Sequence, residues 1–393
     1  MEKYTLIGLH DADGSWEVET SPRVGDSVGF VVKASYSQKT ANSDVISQVY
    51  ETLDTENNVT QSSRSERTYK SGEKIEESKG VFNFTSPEGQ KLLAVVKDNL
   101  PLAPAKRRDY RIAEKVFGFK NSGMCKELCV NENNYPLKKE NITINKGDVA
   151  SKSKKSKEKI GNIAMIYLKY HNAQSFKYNT IEKQRREVQM NEQFSSLNPM
   201  SDELSLGIKL GLYYLADINR EQEELNSALL SNKEIPNDYI IGMFLGDGWF
   251  YLYLKVSTDK IRLTPSMSII QSTDCISLLY AFKRTFNNKG NVAADSSAKT
   301  AYVYRLEGIK NSIKFIIPLL DQYTLSSTKQ KQYDLYKKVV IKANEKQHLT
   351  RGGFDEIVDL CYDFSDLSQG RRDISRDQMK ELGKQYFDRK NIP

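Results

Sequence analysis

Histidine and cysteine are scarce in this chain: its 393 residues include three histidines and four cysteines. His10, His171 and His348 are scattered, so nothing suggests the Ser-His or Cys-His pairing that activates a side-chain nucleophile. Cys125 and Cys129 have the spacing of one helical face, but no second pair or nearby histidine completes a tetrahedral zinc site, and Cys275 and Cys361 lie far off. Four scattered cysteines point to a reducing compartment rather than a disulfide scaffold. Long apolar runs are also missing, which excludes a membrane-spanning helix, and the apolar stretch after Met1 does not have the pattern of a secretory signal.

What is present begins with charge. Lys and Arg number 58 against 51 Asp and Glu, a net charge of +7, which suits a polyanionic partner. More informative is an internal repeat. Leu6-Ile7-Gly8-Leu9-His10-Asp11-Ala12-Asp13-Gly14 returns as Ile240-Ile241-Gly242-Met243-Phe244-Leu245-Gly246-Asp247-Gly248. Each copy reads as a short apolar helix with small residues four apart, Gly8 with Ala12 and Gly242 with Gly246, on one face. Two such faces can pack with their backbones close together. Gly14 and Gly248 are expected to end the helices in the left-handed conformation. Asp13 and Asp247 then stand at the negative end of the helix dipole, where a carboxylate is disfavoured, and parallel packing would bring the two charges together. A divalent cation relieves both penalties, and hard oxygen ligands suit magnesium.

The repeat continues beyond these helices. Strand-like Ser15–Glu19 matches Trp249–Val256, with Trp16 opposite Phe250. Ala34–Gln38 matches Met267–Gln271, setting Gln38 and Gln271 at 25 and 24 residues after their aspartates. Helical stretches follow at 44–53 and 274–286. Leu102–Arg108 matches Leu325–Lys331, pairing Lys106 with Lys329, and Ile160–Tyr170 matches Phe354–Phe364. Each repeat reads as helix, two strands, helix, two strands and closing helices, an α+β pattern with an antiparallel sheet. The expected organisation is an N-terminal domain over 1–180, a partly helical linker over 181–235 with helices near 203–215 and 221–230, and a C-terminal domain over 236–393. A Lys-rich insertion at 137–160 reads as a solvated loop, and its run Lys152–Lys157 as a plain basic segment rather than an import signal.

These motifs resemble those of the LAGLIDADG homing endonucleases, and the likeness extends over most of the chain. The resemblance implies two pseudo-symmetric domains, each a curved antiparallel sheet backed by helices, acting as a monomer on a long, imperfectly symmetric DNA site. It implies metal-dependent hydrolysis of one phosphodiester per strand, leaving short 3′ overhangs. Asp13 and Asp247 would bind magnesium with the scissile phosphates, manganese or calcium being alternative occupants. Asp11 is acidic in the family as well, but Asp13 holds the position of the metal ligand. Lys106 and Lys329 would counter phosphate charge, while Gln38 and Gln271 orient water. The contrast of Arg107-Arg108 with Gln330-Lys331 suggests unequal rates for the two cuts.

Strand alternation nominates the DNA-reading faces. In the first repeat they would carry Glu17, Glu19, Arg23, Lys33 and Ser35. In the second, Tyr251, Tyr253 and Lys255 would be joined by Arg262, Thr264, Ser266 and Ser268. Long polar side chains on a curved ribbon can reach base edges in a major groove. Double-stranded DNA is the expected partner, without a membrane or an obligate protein partner. A group I intron RNA maturase of the same fold is the alternative, since basic faces serve either nucleic acid. The termini lack the residues expected of an intein, favouring a free-standing or intron-encoded protein. Abundant Lys and Asn fit an AT-rich organellar genome.

Overall fold

The computed structural model describes residues 1–22, 28–39, 43–55, 60–62, 77–121, 137–139, 142–144, 152–171, 202–296, 300–368 and 372–390. Arg23, Cys125 and Cys129 lie outside the described residues.

The first half runs α1 (Lys3–Asp13), β1 (Gly14–Pro22), β2 (Val28–Lys39), α2 (Ser43–Thr52), β3 (Thr60–Ser62), β4 (Glu77–Asn83), α3 (Pro87–Asp98) and α4 (Pro104–Asn121). A short hairpin follows, β5 (Leu137–Lys139) with β6 (Ile142–Ile144), and then α5 (Lys154–His171) and α6 (Asp202–Ser231). The second half repeats the plan: α7 (Asn237–Asp247), β7 (Gly248–Val256), β8 (Ile261–Ser272), α8 (Ile276–Thr285), β9 (Asn291–Ala294) and β10 (Ala301–Glu307). Helical turns over 309–320 precede α9 (Ser327–Asn344), α10 (Arg351–Ser368) and α11 (Arg376–Arg389).

Two four-stranded antiparallel sheets result, ordered β1-β2-β4-β3 and β7-β8-β10-β9. Their registers correspond, with Trp16 opposite Ala34 and Phe250 opposite Met267. Alternation drives one face of each sheet against the helices. Trp16, Val18, Phe250, Leu252 and Leu254 are buried there, beside Tyr36, Phe82, Ile269 and Tyr304.

At the centre, α1 and α7 pack in parallel. A Cβ on Gly8 would collide with the Tyr239 carbonyl and one on Gly242 with the Thr5 carbonyl, so both positions require glycine for backbone contact. Gly14 and Gly248 depart from the expected left-handed cap. With φ of -85° and -99° they are extended and open strands β1 and β7 directly. What excludes a side chain there is space, because a Cβ would strike the His10 ring at Gly14 and the Phe244 ring at Gly248. Each half thus turns from helix to strand over a buried ring.

Two further expectations change. The linker's two predicted helices are one 30-residue helix, α6. No glycine or proline interrupts 212–231, Arg220 pairs with Asp217 and Glu224 along the surface, and Leu210, Leu215, Leu225 and Leu229 are buried. Helix α6 packs on α4 and α5 of the first half and α8 of the second, so both halves hold it. In the insertion, the basic run is no loop after Lys154, because it forms the first turn of α5, whose buried Ile160, Ile163 and Ala164 draw it onto the core.

Candidate active site

The parallel pairing of α1 and α7 brings their two C-terminal ends together. A Cβ on Gly246 would lie 2.6 Å from Asp13 Oδ2 and 2.5 Å from the Ala12 Cβ, so the Asp13 carboxylate sits against the residue just before Asp247. Both aspartates are half-buried. Gln38 Nε2 donates to Asp13 Oδ2, and Gln271 Nε2 donates to Asp247 Oδ2 at 2.6 Å. Both glutamines lie near the ends of β2 and β8 on the helix-facing side, buried, and each reaches the aspartate of its own half.

The lysines also correspond. Lys106 Nζ, from the first turn of α4, donates to the Gly14 carbonyl, and Lys329 Nζ, from α9, donates to the Gly248 carbonyl. Lys329 is nearly buried and stands 4.9 Å from the Phe244 ring centroid. The first half has His10 in place of Phe244. Its ring lies 4.0 Å from that of Trp16, matching the Phe244–Phe250 contact at 4.7 Å. Burial, followed by the charge of Lys106, pushes the His10 pKa well below its ordinary value, so a neutral imidazole occupies the aromatic slot.

The two acids of the first motif have different environments. Asp11 is fully buried, and its Oδ2 accepts from the backbone N–H groups of Leu102 and Ala103, each at 2.8 Å, and from the Tyr239 hydroxyl at 2.6 Å. Burial pushes its carboxyl up to about 6 against the opposing pull of those donors and Lys106. Asp11 therefore ties α4 and α7 to α1, while Asp13 lies at the open helix end.

The comparisons follow this geometry. Residues 240–340 match the model of the LAGLIDADG endonuclease family. The DNA-bound homing endonuclease I-GzeII superposes with a TM-score of 0.61 over 92% of this chain and 97% of its own, at 14% identity. The chain is thus similar to the LAGLIDADG endonucleases in sequence over part of its second half and in fold over most of its length. I-LtrWI bound to target DNA gives 0.60 over 91% and 96% at 14% identity, and I-SmaMI on uncleaved DNA with calcium gives 0.59 over 92% and 98% at 16%. At such identities the likeness is one of fold. In sequence, 123 residues are 28% identical to the probable intron-encoded endonuclease 2 of Neurospora crassa. That match covers 31% of this chain and about a quarter of the relative's length.

On the LAGLIDADG frame, the sheet faces turned away from the helices carry most of the nominated DNA-reading residues. In the second half Tyr251, Lys255 and Arg262 are exposed and Tyr253 and Thr264 half-buried, with the Arg262 guanidinium 6.0 Å from the Tyr253 ring centroid. Ser266 and Ser268 correct the expectation of exposure: they lie on this face but are buried, at 2% and 0%. They are short side chains in the central strand, flanked by Tyr251 and by Arg305, whose Nε donates to Ser268 Oγ at 3.3 Å. Ser35 is buried for the same reason, between the Ser15 hydroxyl at 2.7 Å and Glu17, to which it donates at 2.7 Å.

The first half's face is a closed charge network. Lys33 reaches Glu19 at 2.7 Å and Glu17 at 3.3 Å, and Lys79 reaches Glu17 at 3.7 Å. Burial works against the Glu17 charge, but hydrogen bonds from Ser15 and Ser35, with Lys79 and Lys33 nearby, hold its carboxyl below the usual range. Lys79 and Arg305 were not nominated from the sequence, although the period-two pattern of β4 and β10 marks that face. The Arg107-Arg108 contrast also changes meaning. Arg107 and Arg111 pair with Glu221 of α6 and Arg108 donates to Asn219 at 3.0 Å, so these arginines hold the linker helix. Among the described residues no helix is long and apolar enough to cross a membrane.

Proposed function

We propose that this chain is a site-specific DNA endonuclease that binds a long, pseudo-symmetric duplex as a monomer and hydrolyses one phosphodiester on each strand. The observation that carries this reading is the doubled constellation Asp13–Gln38–Lys106 and Asp247–Gln271–Lys329 around one close, parallel helix pair.

The donor set fits a divalent cation, magnesium foremost. Among the described residues no cluster of three His, Cys, Asp or Glu side chains forms a complete cage. Magnesium commonly takes one or two carboxylates, completing its shell with water and substrate phosphate. Asp13 and Asp247 supply that number, half-buried at the ends of their helices, where the dipole disfavours a carboxylate and a cation is favoured. When bound, the cation neutralises developing phosphate charge and lowers the pKa of attacking water.

The chain's own residues do the positioning. Gln38 and Gln271 fix the rotamers of their aspartates, each through one amide N–H, and keep a carbonyl oxygen able to accept from water. Lys106 and Lys329 place an ammonium beside the first residue of each strand, where it opposes the charge of a phosphate lying across the helix ends. The backbone contact of α1 and α7 fixes the separation of the two half-sites, and two cuts a few base pairs apart leave short 3′ overhangs. On the sheets, Glu17, Glu19, Lys33, Tyr251, Tyr253, Lys255, Arg262 and Thr264 face the major groove, with Ser35, Ser266 and Ser268 supporting their neighbours. The likeness to an intron-encoded protein supports an organellar intron as the gene's setting.

The test uses purified protein, magnesium and a plasmid carrying the genomic flanks of this reading frame joined together. Double-strand cleavage is expected, with Asp13→Asn or Asp247→Asn abolishing it while DNA binding persists. Undiminished cutting by either variant refutes the ligand assignment. Splicing rescue of the intron RNA without DNA cleavage replaces the nuclease with the maturase.

A further inference from the structure

The helices that carry the site lysines do not begin under the control of their own half alone. Lys329 lies two residues after Ser327, the first residue of α9. The opening N–H groups of a helix have no partner within it. Ser326, which precedes the helix, makes no side-chain cap bond. The Ser327 N–H is instead taken at 2.7 Å by Asp44 Oδ2, from the first turn of α2 in the other half. A carboxylate is the favoured charge at a helix start.

The reciprocal contact exists at Lys106. By the repeat, Asp274 is the equivalent of Asp44 and Pro104 that of Ser327. Proline has no N–H to donate. The next residue, Ala105, is buried, as is Cys275, the neighbour of Asp274. Asp274 itself lies within electrostatic reach of Arg108 on the same helix. The turn Thr273–Cys275 of the second half thus packs against the start of α4 in the first.

We propose that each half positions the other half's lysine, Asp44 acting on α9 and the Thr273–Cys275 turn on α4. Each aspartate and glutamine belongs to the half that carries its lysine, but the lysine's helix is registered against the opposite half. A small rotation of one half about the central helix pair would then move both lysines away from their aspartates. Loss of one such contact would instead loosen one lysine and leave the other in place.

This rests on the nuclease reading, and the experiment separates the two. Asp44→Ala, Asp44→Asn, Lys329→Ala, Lys106→Ala and Ser86→Ala proteins are compared with wild type on the joined-flank DNA, each strand carrying a different 5′ fluorophore. Asp44→Ala is expected to slow one strand about five- to tenfold relative to the other, the size that loss of a helix cap carries. The slowed strand is the one that Lys329→Ala slows, not the one that Lys106→Ala slows. Asp44→Asn keeps an equally good cap and restores the balance. Ser86→Ala removes the cap of α3, where Ser86 accepts from the Gly89 N–H at 3.1 Å, and so controls for lost stability without altering the strand ratio. Equal slowing of both strands, or an unchanged ratio in Asp44→Ala, overturns the proposal while leaving the nuclease intact. Wild-type protein that cuts neither strand overturns the nuclease reading and this proposal with it.

Discussion

Replacing Asp11 with leucine, the residue that the second motif carries at Leu245, should be among the most damaging single changes outside the proposed catalytic groups. The substitution removes the acceptor for three buried donors, the Leu102 and Ala103 N–H groups and the Tyr239 hydroxyl. A buried donor left unsatisfied costs about 1–3 kcal/mol. Three give a loss of roughly 3–5 kcal/mol after partial relaxation, a large share of the ~5–15 kcal/mol that holds a typical domain folded. Urea titration followed by tryptophan fluorescence is well suited, since Trp16 lies beside His10 in the first half and Trp249 reports the second. Adding Tyr239→Phe removes one orphaned donor, so the double variant should recover about 1 kcal/mol over Asp11→Leu alone. An Asp11→Leu protein with the wild-type urea midpoint would refute the structural assignment. Equal stability of the single and double variants would remove Tyr239 from the network.

Other outcomes follow from neighbouring contacts. Gly242→Val should prevent the close approach of α1 and α7, because even a Cβ collides with the Thr5 carbonyl, and it should yield mostly insoluble protein on expression, whereas the exposed Tyr251→Ser should leave solubility unchanged. Gln271→Leu should keep the fold but reduce cleavage of one strand by about 10–100-fold, read as accumulation of nicked circles, since Asp247 loses its amide donor. Burial holds the Cys275 thiol up at about 11 and the Cys361 thiol at about 12, so iodoacetamide at pH 8 should leave both unmodified in native protein and label both in urea, as peptide mapping by mass spectrometry would reveal. Glu221→Ala should lower the melting temperature by a few degrees, by leaving the Arg107 and Arg111 guanidinium groups without their carboxylate on α6.

Much of the architecture was legible because it depends on period and repetition. Alternation in β1 and β7 fixed which residues face the helices, and corresponding places in the two repeats pointed to Gln38 with Gln271 and to Lys106 with Lys329. What failed was set by contacts the sequence does not display. Gly14 and Gly248 looked like helix caps, but the ring one turn back, His10 or Phe244, decides their role by occupying the space a side chain would need. Ser35, Ser266 and Ser268 had the right parity, yet parity gives direction and not exposure, and longer neighbours cover them. Helix α6 looked broken because its middle is polar, and only the packing of both halves around it makes it continuous. The links from Asp44 to Ser327 and from Asp11 to Tyr239 span 283 and 228 residues, and local pattern contains no trace of either.

The inequality of the two motif helices bears on how such a chain can be rebuilt. Asp11 needs the hydroxyl that Tyr239 brings from the other copy, whereas Leu245 carries no acid to offer in return. A symmetric assembly of two second halves would bury two Tyr239 hydroxyls against leucine, and one of two first halves would give two Asp11 carboxylates no tyrosine from α7. The halves of this protein have become lock and key to each other. Modules exchanged into it from relatives must bring a matching acid or tyrosine if the hybrid is to stay folded.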